Sequence, residues 1–193
     1  MKVEKAGDSR LFYIWAQEVL SGGADTVMMP AMTVILQLID ICLFRAGPED
    51  LPATSRYLHL AMFAYLLTGV TLNQLDTDWK TSLVASVVDL AFLMAFIYLL
   101  FRQYEHIERW TQVMIALCGT TVFLGLLLFP IYQVEPTSGL NLVSLILALW
   151  ALIVFANILR VSLPCSVPVS IVWTAVYIVL SLMLYVITVS VIL

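Results

Sequence analysis

The chain has 193 residues, of which 62% are hydrophobic and 11% charged, with a mean hydropathy of +1.01. Water-soluble chains carry roughly a quarter charged residues, so this composition excludes a soluble domain, and no nucleic-acid partner is expected. The net charge of −4 says little, because the few charges sit in loops and their placement matters more than their sum.

The N-terminal stretch MKVEKAGDSR is polar and is followed by no short apolar core with a small-residue cleavage site, so a cleaved signal peptide is not expected. RLFYIWAQEVL comes next. Leu11, Phe12, Trp15, Ala16, Val19 and Leu20 form one face, with Arg10, Tyr13, Gln17 and Glu18 opposite. That pattern predicts an amphipathic helix lying on the membrane interface or on the protein's own loops. Residues 1–25 are read as a cytoplasmic N-terminal region carrying this helix.

Val27–Phe44 is apolar but short, about 27 Å as a helix. Pro30 disturbs its first turn, and Thr33, Gln37 and Asp40 fall on one stripe at i, i+4 and i+7. A carboxylate near the bilayer centre costs roughly 2.5–3.5 kcal/mol on the insertion scale, which neighbouring Ile, Leu and Val could outweigh. Charge placement discriminates more sharply. If the segment crosses, Lys2, Lys5, Arg10 and Lys80 lie on one side and Arg45, Arg56, Arg102, Arg109 and Arg160 on the other, which is no bias. If it only dips in, every one of these except Lys80 shares the cytoplasmic side, a strong positive-inside pattern. Residues 26–56 therefore read as a half-inserted or re-entrant helix and a cytoplasmic turn at Gly47-Pro48 and Leu51-Pro52. Arg45 and Arg56 can meet anionic headgroups there, at about 1 kcal/mol each.

Five apolar runs follow: Tyr57–Leu75, Ser82–Phe101, Val113–Tyr132, Leu142–Leu159 and Val169–Leu193. Each is long enough to span about 30 Å of hydrocarbon. The connections are short, so successive helices are antiparallel neighbours. Pro130, Pro136, Pro164 and Pro168 mark the later boundaries. The expected fold is an all-α membrane protein: a five-span antiparallel helix bundle over residues 57–193, preceded by the interfacial amphipathic helix and the half-inserted or re-entrant helix.

Within the second run, Asp89 lies about 12 Å from the outer end, close to the bilayer middle. Ionisable residues at that depth often mark ion or proton paths. The alternative is a structural carboxyl, protonated or hydrogen-bonded to polar neighbours such as Thr68 or Thr71 on the preceding span. The latter is preferred, because no Lys or Arg inside a span pairs it and no string of companions is evident. Asn157 and Arg160, near the cytoplasmic end of the fourth run, could meet Gln37 and Asp40 at one depth and form a polar cluster under the inner leaflet. Gly119 and Gly125, with Thr120 and Thr121, predict close approach of the third run to a neighbour.

RQYEHIERW holds Glu105, His106 and Glu108, and His59 is the other histidine. The spacing is wrong for the zinc-protease helix, and a solvated charged turn is expected. Cys42, Cys118 and Cys165 each sit in or beside an apolar run and read as small hydrophobes rather than disulfide or metal partners. No nucleophile–base pair occurs, so neither an enzyme nor a cofactor or metal is expected.

The stretches PEDLP before the first span, RWTQVMIALCGT entering the third and LWALIVFANILR closing the fourth, together with the span count, resemble the bacterial members of the Yip family of small membrane proteins. The likeness covers about Val27 to Leu193. Eukaryotic members sit in Golgi and endosomal membranes and interact with Rab GTPases. Residues 1–25 depart from that pattern, being much shorter than the eukaryotic cytoplasmic arms, so Rab binding is not carried over. The resemblance implies a bacterial inner-membrane protein with its N-terminus cytoplasmic and its C-terminus periplasmic or extracytoplasmic. The expected function is a non-enzymatic assembly, scaffold or membrane-organising component, whose partners are the lipid bilayer and a membrane protein or further copies of itself. A small-molecule or ion transporter using Asp89 as a midplane carboxylate is the alternative.

Overall fold

The computed structural model describes residues 28–74, 77–134 and 142–192. The amphipathic segment around Leu11–Leu20, the cations Lys2, Lys5 and Arg10, and Pro136 lie outside the described residues.

Six α-helices occur among the described residues: α1 Met28–Cys42, α2 Ser55–Asn73, α3 Trp79–Gln103, α4 Trp110–Val134, α5 Leu142–Ser162 and α6 Val167–Ile192. Short 3-10 turns at Pro48–Asp50 and Ile107–Arg109 precede α2 and α4. Four helices, α3 to α6, are long and apolar enough to cross a membrane. The sequence pattern predicts a fifth, but α2 carries Arg56 and His59 in its opening turns and Asn73 at its end, and these polar groups keep it below that standard. Helix α1 has 15 residues, about 22 Å of rise against about 30 Å of hydrocarbon. Pro30 sits in its first turn, where the missing N–H forfeits no helical bond.

Helix α4 runs on through Pro130 to Val134, so this proline does not mark a boundary as expected. It falls in the last turns, where one lost bond and a strained carbonyl are tolerable. Pro164 and Pro168 do flank the turn between α5 and α6.

Five helices close a ring in the order α2, α3, α6, α5, α4 and back to α2, with α3 and α4 also touching across it. The alternating directions gather Arg45, Arg56, Arg102, Arg109 and Arg160 at one end, the arginine end, and place Asp78 and Lys80 at the other, the lysine end. Helix α4 carries most of the core, and every residue from Val113 to Thr120 is buried. Leu93, Ile97, Leu100 and Phe101 of α3 and Val154, Ile158 and Leu159 of α5 pack with it. In contrast, α5 and α6 turn Ile146, Leu149, Ile153, Val179, Leu182 and Val186 outward, as a helix apolar all round does when hydrocarbon is its solvent.

Helix α1 lies outside the ring against α4 and α5, burying Val34, Ile41 and Cys42. Gly119 makes that approach possible, since a Cβ there would come within 2.6 Å of Leu38 Cδ1. Gly125 does the same for α2, with Thr68 Cγ2 at 2.7 Å. Both glycines thus serve the close contacts their positions predict.

The chain leaves α1 through Phe44, whose left-handed φ of 59° turns Arg45 N–H (2.8 Å) and Ala46 N–H (3.4 Å) back to the Asp40 carbonyl. The Phe44 ring meets Trp150 of α5 at 5.6 Å. The turn that follows is clamped from two sides. Gln37 Nε2 donates to the Asp50 carbonyl at 3.1 Å, and Gln112 Nε2 donates to the Leu51 and Glu49 carbonyls at 2.9 and 3.3 Å. Pro48 and Leu51 are buried beneath.

Candidate functional site

Asp89 interrupts an α3 sequence otherwise apolar from Val87 to Phe101 apart from Tyr98. Its position on the helix turns it toward the ring. Tyr65 of α2 donates its hydroxyl to Asp89 Oδ2 at 2.5 Å, and Ser181 of α6 donates to Oδ1 at 2.8 Å. One carboxyl therefore joins three helices. The expected partners do not take part. Thr71 spends its hydroxyl on the Leu67 carbonyl at 2.7 Å, and Thr68 sets its methyl against Gly125. A tyrosine delivers its hydroxyl much farther from the backbone than a threonine, so Tyr65 reaches the carboxyl from one turn away.

A cavity of about 440 Å³ extends from this carboxyl toward the lysine end. All five ring helices line it, through residues including Thr68, Asn73, Ser86, Thr121, Ala151 and Thr188. Among the described residues that line it there is no Lys, Arg or His. Toward the arginine end aromatic side chains of α3, α5 and α6 pack on one another. Tyr177 stacks between Phe155, at 4.8 Å, and Phe92, at 5.7 Å. Phe96 adds contacts to Tyr177 at 5.3 Å and Trp173 at 6.2 Å. Trp173 Nε1 then reaches the Tyr104 hydroxyl at 3.4 Å. Asn73, Ser86 and Thr188 place polar groups along the cavity wall nearer the lysine end.

A polar network joins the end of α2 to the start of α3. Asn73 Nδ2 donates to Ser86 Oγ at 3.3 Å, and Ser86 returns its own proton to the Ser82 carbonyl at 2.8 Å. Thr77 and Ser82 share a hydroxyl contact of 2.9 Å. Asp78 accepts the Thr81 hydroxyl at 2.6 Å, a bond that holds its carboxyl below the ordinary range.

The other sequence candidates lie at the arginine side of the fold. Gln37 and Asp40 are half-buried on α1, Asn157 is half-buried on α5, and Arg160 is exposed in the last turns of α5. Gln37 directs its amide to the Pro48 turn, leaving its Oε1 buried without a partner. His59, Glu105, His106 and Glu108 are all exposed. Among the described residues no three of His, Cys, Asp and Glu gather as a metal-binding group. Cys42 and Cys118 are buried and Cys165 half-buried, all as free thiols, and burial pushes Cys165 above its ordinary value.

Tyr65 and Ser181 are the site residues that sequence reading missed. Register could have found them. Asp89 lies ten residues from the lysine end of α3, Ser181 eleven from that of α6 and Tyr65 eight from that of α2. Lone polar groups at matching depth in antiparallel helices are candidates to meet.

No family model, curated protein or solved structure matches this chain.

Proposed function

We propose that this chain is a Yip-like, five-span protein of a bacterial inner membrane that acts without catalysis, as an assembly or membrane-organising component. The observation that carries this reading is the arginine end. Five arginines share it with the Pro48 turn, which Gln37 and Gln112 hold against the bundle. Such a surface suits anionic headgroups on the cytoplasmic leaflet and the loops of a neighbouring membrane protein. In this reading α2 is the fifth span, completing the ring that α3 to α6 leave open, and α1 enters the inner leaflet without crossing. The N-terminus is cytoplasmic, and the chain ends on the far side.

Alkaline phosphatase and fluorescent-protein fusions at Val134 and Leu193, with cysteine labelling across Ala46–Ser55, test the topology. Labelling of Ala46–Ser55 from the side opposite Met1 would overturn it. Purification in mild detergent tests the function. The expected result is a homo-oligomer or a co-purifying membrane protein, and a strictly monomeric, unaccompanied particle counts against it.

The cavity favours a second reading, passage of a small molecule or ion with Asp89 as its midplane carboxylate. Asp89→Asn separates the two. Loss of coupled uptake with the fold intact supports transport, and unchanged uptake supports a purely structural carboxyl.

A further inference from the structure

We propose that the cavity above Asp89 is a binding site for a small organic monocation, an amine or quaternary ammonium, with Asp89 as its counter-charge. The proposal rests on the second reading only for the location of the site. It requires that something bind, not that anything cross.

Size comes first. At about 440 Å³ the cavity falls within the range of sites that enclose small organic ligands, roughly 300–1,000 Å³. A bare divalent cation needs no such room and would call for six to eight oxygen ligands, usually several carboxylates. Among the described residues that line the cavity, Asp89 is the only acidic one.

Charge comes second. The described lining residues offer a carboxyl, several hydroxyls, the Asn73 amide and no cationic group, so an anion finds no counter-charge among them. Each Asp89 oxygen accepts one described hydrogen bond, whereas an ionised carboxyl can accept about four. Acceptor capacity therefore remains for an ammonium N–H, or for the close approach of a methylated nitrogen. The Tyr65 and Tyr185 side chains also line the space, and aromatic rings attract quaternary ammonium groups.

Access comes third. The described lining runs from Asp89 to Asn73 and Thr188 near the lysine end, and that end is the approach the proposal takes. At that end Asp78 and Lys80 stand together at the start of α3, so charge selection is left to Asp89.

The test uses the full chain in lipid nanodiscs and equilibrium binding of radiolabelled choline and n-propylamine. At least one is expected to bind saturably. Asp89→Asn should weaken that binding about tenfold or more, the loss expected when a charged partner is removed. The neutral isostere 3,3-dimethyl-1-butanol should fail to displace choline. Ala151→Phe keeps Asp89 but fills the cavity, and should abolish binding even if Asp89→Asn folds poorly. Equal affinity in wild type and Asp89→Asn, displacement by the neutral isostere, or no saturable binding of either amine would overturn the proposal. Choline counterflow in proteoliposomes separates it from transport. Binding without counterflow supports the site and ends the transport reading, whereas Asp89-dependent uptake of a solute indifferent to both amines retains transport and overturns the site.

Discussion

Tyr65 and Asp89 meet across 2.5 Å, hydroxyl to carboxyl, at the level where α2 and α3 face the interior of the ring. Ser181 takes the other carboxyl oxygen from α6, so α2 and α6 are coupled through a residue that belongs to neither. Tyr65→Phe removes only the donor and should cost about 1–2 kcal/mol, within the span of hydrogen bonds to charged groups and of polar contacts in membrane bundles. Ser181→Ala should cost less, about 0.6 kcal/mol. Unfolding in mixed detergent micelles gives both values. The double variant should fall short of their sum, because each single change alters the acceptor the other uses. Strict additivity would mean that the two bonds are independent.

Gly119→Leu should detach α1. Its Cβ would lie 2.6 Å from Leu38 Cδ1 and 2.7 Å from Cδ2, and a full side chain has no room beside them. Leu38 can turn away from a single methyl, so Gly119→Ala should be tolerated. Cys42, buried at the end of α1, reports the difference. Maleimide should label it rapidly in Gly119→Leu and slowly in wild type and Gly119→Ala. Equal protection in all three would show that α1 is held elsewhere.

Glu105 follows α3 with a left-handed φ of 59°, and His106 N–H closes back on the Phe101 carbonyl at 3.0 Å. This is the helix-ending position that glycine fills at least cost. Glu105→Gly should therefore raise stability by about 1 kcal/mol, the usual penalty for an L-residue in that region. Thermal unfolding in nanodiscs checks it. A loss of stability would mean that the exposed carboxylate makes a contact worth more than the strain.

Asp78 gives the fold a mild acid sensitivity. Its carboxyl is held below the ordinary value of 3.8 in the folded chain, first by the Thr81 hydroxyl. A folded value below the unfolded one means that the stabilisation is complete above the ordinary value. It fades as pH falls through the lowered one. Asp78→Asn should flatten that part of the melting-temperature profile below about pH 4 and leave the neutral region nearly unchanged. Because the side chain is fully solvated the slope should be shallow. An identical acid limb in both proteins would rule the contribution out.

Hydropathy and spacing were enough to read the helices, because each apolar run has one plausible solution in hydrocarbon and the short loops force reversal. Tyr57–Leu75 was the exception. Apolarity alone suggested a span, whereas the polar ends at Arg56, His59 and Asn73 leave α2 distinct from the other four. The tertiary pairings were less legible. Asp89 stood out as an ionisable residue at depth, but nothing local to α3 specifies Tyr65 on α2 or Ser181, 92 residues further along. Which helices adjoin is decided by packing around the whole ring. Gly119 and Gly125 announced close approaches without naming Leu38 and Thr68, for the same reason. The position of Gln37 on α1 suggests an inner-leaflet cluster but not the hydrogen bond its amide gives to the Asp50 carbonyl, a contact set by the backbone reversal at Phe44, where a left-handed phenylalanine gives no sequence warning.

A circuit of five members cannot alternate up and down all the way round. Two adjacent helices must point the same way, and here they are α2 and α4, where Gly125 admits Thr68. Their backbone dipoles add rather than cancel along that seam, so side-chain fit has to do the joining. Odd parity also forbids division into two equal halves of opposite orientation. The rocking of mirrored halves that opens many carriers to each face in turn has no counterpart in such a ring.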